Sequence, residues 1–123
     1  HCADNYPTKK AKSDLDIPIP RGAGDEQYLA LLTQCLSKIA DTSFIPDLVI
    51  YDAAVDVHSR DKLGLLKMTS GGVEARDRYV LSYFKKRQIP IATTIGGGYG
   101  ETSEEVANRH RIIFKVVESI FME

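Results

Sequence analysis

Two β-branched runs with a helical pattern between them constrain this chain more than any other feature. The first is Phe44-Ile-Pro-Asp-Leu-Val-Ile-Tyr51, and the second covers residues 89–95. Apolar runs bounded by turn residues suit strands buried on both faces by helices. Between them, Val73, Arg76, Tyr79, Val80, Tyr83 and Phe84 recur at helical spacing after Ser70 and Gly71-Gly72. That helix should stop near Arg87, because Pro90 follows. Strand, helix and strand in this order imply a right-handed crossover and a parallel sheet.

The flanks extend the alternation. Tyr28, Leu32, Cys35, Leu36 and Ile39 predict a helix over 25–41, with Asp25 as its N-cap. Thr102-Ser-Glu-Glu105 has the form of a capping box. It opens a last helix with Val106, His110, Ile113, Val117 and Ile120 on one face. Leu15, Ile17 and Ile19 alternate like a strand, but Pro18 and Pro20 confine it to a sheet rim. Residues 1–12 read as a loop. The result is one α/β domain over 1–123, three layers α/β/α around a parallel sheet. Ligands of such sheets sit beyond the carboxyl ends of the strands. Two segments lie there, 52–63 and 96–100.

Composition narrows the partners. The 123 residues are 43% hydrophobic and 27% charged, ordinary values for a folded domain. A formal net charge of -1 gives no general reason to bind nucleic acid or an anionic membrane. No apolar run approaches the roughly 20 residues of a membrane helix. Cys2 and Cys35 lack CxxC spacing, so neither a disulfide framework nor a structural zinc site is expected, and a reducing cytoplasmic setting is. The first residue is His, with no basic and apolar leader behind it, so no signal peptide is expected and the chain reads as part of a longer one.

Two segments could carry chemistry. In Tyr51-Asp-Ala-Ala-Val-Asp-Val-His-Ser-Arg-Asp-Lys-Leu-Gly64, the groups Asp52, Asp56, His58 and Asp61 could ligate a metal or move protons. The competing reading is a polar loop whose Asp residues cap turns and whose His58 faces solvent. The second segment is Gly96-Gly-Gly-Tyr-Gly100, whose glycines allow close backbone approach and positive φ. The competing reading there is a tight strand-to-helix turn. Neither GxGxxG nor GxxxxGK[ST] fits, and Glu101, Glu104 and Glu105 would repel a phosphate.

The order and spacing of these segments resemble the histone deacetylase family. Asp56, followed five residues later by Asp61-Lys-Leu-Gly64, is similar to a zinc-ligand segment of that family, and Pro46-Asp-Leu-Val-Ile-Tyr-Asp-Ala-Ala54 to the strand leading into it. Ile91-Ala-Thr-Thr-Ile-Gly-Gly-Gly-Tyr99 is similar to the later strand and glycine run ending in Tyr. Asn5-Tyr-Pro7, Ser13-Asp-Leu-Asp-Ile-Pro-Ile-Pro20 and Gly24-Asp-Glu, then Tyr28, resemble the preceding part, notably in bacterial and class IV-like members. The match runs in order over nearly the whole chain.

The resemblance implies an arginase/deacetylase-type fold, of which this chain is the C-terminal portion. It makes Asp56 a zinc ligand and Tyr99 the donor of a hydroxyl to the acetyl oxygen. Gly97 and Gly98 let that Tyr approach the acyl group, and Leu63 matches a position lining the acyl-lysine tunnel. Ferrous iron could share such ligands with zinc. Asp56-Val-His58 mimics the family's Asp-x-His ligand pair, but that pair belongs upstream. His58 therefore reads as a loop residue, Asp61 as a loop cap, and His110 as a packing residue. The family's tandem His base and Asp-x-His ligands have no counterpart here, and His1 matches a position beyond the ligating His. A catalytic zinc site takes about three protein ligands.

The parent protein is thus expected to be a zinc-dependent amide hydrolase acting on an acetylated lysine or polyamine, with this portion inactive alone and prone to self-associate. The alternative is a non-catalytic α/β binding module descended from a deacetylase.

Overall fold

The computed structural model describes residues 2–122. His1, weighed above as a ligand, lies outside the described residues. The elements are α1 (Asp25–Ala40), β1 (Val49–Asp52), α2 (Ser70–Lys86), β2 (Ile91–Thr94) and α3 (Ser103–Phe121). β1 and β2 pair in parallel, with Val49 opposite Ile91 and Asp52 opposite Thr94. The chain is α/β, and the predicted crossover through α2 is present.

The strands differ from the expectation in length and cover. Pairing begins only at Val49, and exposure alternates along β1. Val49, Tyr51 and Ile91 turn toward the helices, packing with Leu36, Val80 and Phe84 on one side and Leu81, Ile113 and Val116 on the other. Ile50 points the other way and is 72% exposed. Phe44, Ile45, Leu48 and Ile95 are exposed as well. The described helices therefore cover one face of the strand pair, not both. The apolar run is two-sided because side chains alternate across a strand. Its second face has no cover among the described residues.

The N-terminal segment forms no strand. Within it only Ile19 bridges, to Cys2. Pro18 and Pro20 have no N–H to offer a ladder.

α2 is the central helix. Thr69 caps it, its hydroxyl accepting from the Gly72 N–H at 3.0 Å. Asp25, expected to cap α1, is instead the first residue inside it, and Gly24 holds the cap position. The Asp25 carboxylate reaches across to α2, accepting from the Thr69 N–H at 2.8 Å and its hydroxyl at 2.6 Å. One carboxylate thus serves the positive ends of two helices. The inner face of α2 also differs from the predicted stripe. Asp77 and Leu81 are buried, whereas Tyr79 is exposed.

Beneath the end of β1 lies a buried polar knot. The Tyr51 hydroxyl donates to Asp77 at 2.6 Å, and Arg76 Nε donates to the same oxygen at 2.9 Å. Arg76 Nη1 donates to the Ala54 carbonyl at 2.7 Å. Burial raises the Asp77 carboxyl above its ordinary range, opposed by the adjacent Arg76 charge. Arg76 and Asp77 are both almost fully buried, so each is tolerated because the other is there.

Candidate active site

β1 and β2 deliver two loops to the same end of the sheet, because they are parallel and in register. The ladder continues into both loops. The Ala53 N–H donates to the Thr94 carbonyl at 2.9 Å, and the Val55 N–H to the Gly97 carbonyl at 2.8 Å. Asp56 and the glycine run are thereby brought side by side.

The glycines are needed for contact, not for unusual backbone angles. Gly22 is the only described glycine with positive φ, so that part of the expectation is corrected. A Cβ on Gly97 would lie 3.0 Å from Asp56 Oδ2, and one on Gly98 would lie 2.6 Å from Val55 Cγ2. A side chain at Gly98 would push the run off Val55, and one at Gly97 would crowd the Asp56 carboxylate.

Asp56 is half-buried, and no hydrogen bond from another described residue reaches its carboxylate. Burial raises its carboxyl above the ordinary range, and the nearby Asp61 and Asp52 charges act in the same direction. A carboxyl raised by burial and by two neighbouring carboxylates is an arrangement that a cation would relieve. Among the described residues, no group of three or more His, Cys, Asp or Glu could hold a metal ion. The donor set present fits one ligand of a metal and leaves the remaining ligands to come from elsewhere.

Tyr99 is 57% exposed, so its ring stands clear of the core. Its backbone is held at both ends. The Tyr99 N–H donates to Asp61 Oδ2 at 2.6 Å, and its carbonyl accepts from Arg109 Nη1 at 2.9 Å. The other Asp61 oxygen accepts from the Leu63 N–H at 2.9 Å and the Gly64 N–H at 2.7 Å. Leu63 lies on the rim of the loop, 60% exposed. Asp56, Leu63, Gly97, Gly98 and Tyr99 are thus gathered at one end of the strands.

His58 is neither exposed nor in a metal-binding group. It is buried, so the solvent-facing alternative is corrected. Nδ1 accepts from the Arg60 N–H at 3.1 Å, which leaves Nε2 to carry the proton toward the Ser70 hydroxyl, also at 3.1 Å. Burial lowers its pKa, and the charges of Arg109 and Arg60 lower it further.

Two residues of the site, Arg109 and Arg60, were not singled out in the sequence, and Glu105 was read there only as part of a capping box and as a charge that repels phosphate. Arg109 is buried, donating to the carbonyls of Tyr99 and Arg60 and pairing with Glu105 at 2.9 Å. Glu105 also pairs with Arg60 at 2.8 Å. Its carboxyl is held below the ordinary range, first by the Glu101 N–H and then by these two cations. The signal available was the i,i+4 spacing of Glu105 and Arg109 on α3. The capping box is accordingly altered. Thr102 accepts from the Glu105 N–H at 3.2 Å, but Glu105 reaches Glu101 rather than Thr102. His110 lies half-buried beside Gly98 with Nδ1 unpaired, near its expected packing role.

The α/β architecture thus sets the Asp56 carboxylate, which takes no hydrogen bond from another described residue, and the glycine-borne Tyr99 at adjoining strand ends. Residues 1–115 match the model of the histone deacetylase domain, and the chain belongs to that family. An uncharacterised protein of Picosynechococcus is 39% identical over 121 residues, covering 98% of this chain and 40% of its own length. Histone deacetylase 2 of Arabidopsis thaliana is 34% identical over 93 residues, covering 76% of this chain and 24% of its own. The crystal structure of acetylpolyamine aminohydrolase from Burkholderia pseudomallei shares the fold at a TM-score of 0.75 and 17% identity, over 96% of this chain and 35% of that one. The chain therefore spans well under half the length of these relatives. No described helix is long and apolar enough to cross a membrane.

Proposed function

We propose that this chain is the C-terminal portion of a metal-dependent deacetylase that hydrolyses the amide of an acetylated amine, either an acetyl-lysine or an acetylated polyamine. The observation that carries the reading is the pairing of a half-buried Asp56 carboxylate, which takes no hydrogen bond from another described residue, with Tyr99 on the adjoining glycine run. Family membership and the fold shared with the acetylpolyamine aminohydrolase support it.

Asp56 would hold zinc together with ligands from the rest of the protein. When bound, the metal supplies Lewis-acid polarisation of the amide carbonyl and a more acidic water. The chain's own contribution is placement. Gly97 and Gly98 keep the Tyr99 loop against the Asp56 segment. The Tyr99 hydroxyl donates a hydrogen bond to the carbonyl oxygen as negative charge builds there. Leu63 lines the approach of the aliphatic part of the substrate. The base that takes the proton of the attacking water lies outside this chain, so this portion is inactive by itself. Its open strand face, with Leu48, Ile50 and Ile95, would drive self-association of the isolated portion.

The test is hydrolysis of acetyl-lysine peptides and acetylated polyamines by the complete protein, before and after chelation. The reading expects activity that chelation abolishes and zinc or ferrous iron restores. A complete protein that binds no metal and releases no acetate from either substrate class would instead favour a binding module descended from a deacetylase.

A further inference from the structure

We infer that Asp61 is a positioning residue for Tyr99, setting the reach of its hydroxyl through the backbone, with Arg109 holding the same residue from the other side. The inference rests on the reading of Tyr99 as the hydroxyl donor.

Asp61 is 8% exposed, and its two oxygens have different tasks. Oδ1 takes the N–H groups of Leu63 and Gly64, closing the turn that follows Asp61. Oδ2 takes the N–H of Tyr99, which is 38 residues away in sequence. A cap needs only the first of these. The second crosses from the loop after β1 to the loop after β2. Arg109, also buried, takes the Tyr99 carbonyl and anchors itself on Glu105 and the Arg60 carbonyl. The backbone of Tyr99 is therefore fixed at its N–H by an anion and at its carbonyl by a cation. Such charge-assisted bonds are short and directional. The glycine run has no apolar side chain with which to anchor itself, and the exposed Tyr99 ring offers little packing. The Val55 N–H holds the run at Gly97, and beyond that point the two buried charges supply the described hydrogen bonds that set how far Tyr99 stands from Asp56. A displacement of about 1 Å at a reacting group is worth up to ~100-fold in rate.

Asn at position 61 separates the two tasks. It has one accepting oxygen, and two N–H groups at the turn compete for it against one from Tyr99. With the oxygen on the turn, the new NH₂ faces the Tyr99 N–H, donor against donor. Asp61→Asn thus keeps the turn and releases the tyrosine.

The experiment uses the complete protein and reads amide exchange at Tyr99, bound metal, kcat and KM. For Asp61→Asn we expect exchange at the Tyr99 N–H at least ~10-fold faster, because a protecting bond is gone. Metal stoichiometry and KM stay unchanged, while kcat falls ~10- to 100-fold. In a Tyr99→Phe background the same change costs little more, since both substitutions remove one interaction. Arg109→Lys keeps the charge but loses the fork, and should show the same non-additivity with Tyr99→Phe. Unchanged exchange at Tyr99 would overturn the inference. So would a kcat loss that adds in full to that of Tyr99→Phe, or one accompanied by metal loss, both of which describe a residue that only supports the fold. A protein without deacetylase activity sinks the proposed function instead, and the exchange rates then decide on their own whether Asp61 grips Tyr99.

Discussion

The loop after β1 and the loop after β2 end at the same place but are built in opposite ways. The first, from Ala53 to Thr69, carries its own core. Val57, Leu66 and Met68 are buried against Cys2, Ile19, Ala23 and Val73. A backbone bridge between His58 and Met68 closes it, and Asp61 caps its tip. The second, from Ile95 to Glu101, has almost no side chain of its own to bury. Its shape comes from the neighbouring loop and from α3, through Val55, Asp61 and Arg109. The lesson is a division of labour. The segment that carries the proposed metal ligand is rigid by packing. A segment offering a tyrosine at the end of glycines is rigid only by borrowing.

The contrast can be broken from the first side with large effects. Asp77→Ala leaves Arg76 buried and unpaired beneath Ala54, and should cost about 3–5 kcal/mol in chemical denaturation. Met68→Ala empties a fully buried site in the first loop's own core and should cost about 2–5 kcal/mol. If Met68→Ala left stability unchanged, the first loop would not be self-supporting as described, and if Asp77→Ala did, the buried Arg76 would not depend on its partner. On the second side, Thr102→Ala removes the N-cap of α3, next to the glycine run, at a cost of about 1 kcal/mol. A loss several times larger would mean that the second loop carries more of the fold than its exposure suggests.

A pH effect sharpens the same comparison. His58 sits in the first loop with its pKa lowered by burial, so the folded state binds its proton less readily than the unfolded state. Its contribution to stability is therefore complete above the ordinary value of 6.5 and is lost as pH falls through the lower folded value. The melting temperature should decline below about pH 6.5. His58→Gln should flatten that decline while costing some stability at neutral pH. An identical pH profile in the two proteins would remove His58 from the account.

Much of this architecture was legible in the residues. Pro90, the Gly-rich starts and the helical spacing located α2 and the parallel pair. Asp56 and Tyr99 stood out because their segments follow strands at family-like spacing. What was not legible depended on cross-chain geometry. Nothing in Asp61 itself signals a hydrogen bond to Tyr99, since any Asp can cap a turn. Arg109 reads as one more charge on a helix until the structure buries it. The one-sided cover of the strands was hidden because an apolar run states that both faces want burial, without saying which residues supply it. Asp25 misled for a related reason. It sits where a cap would, but its carboxylate serves a helix 44 residues on.

The central claim is that Asp56 and Tyr99 divide the work of one site, the first holding metal and the second donating a hydroxyl. The direct measurement is bound zinc and kcat for the complete protein, beside Asp56→Ala and Tyr99→Phe. Asp56→Ala should lose most of its metal and its activity together. Tyr99→Phe should keep its metal and lose kcat by about 100-fold or more, the scale expected for removing one donor to a developing oxyanion. Full metal content in the first variant, or undiminished kcat in the second, would contradict the account.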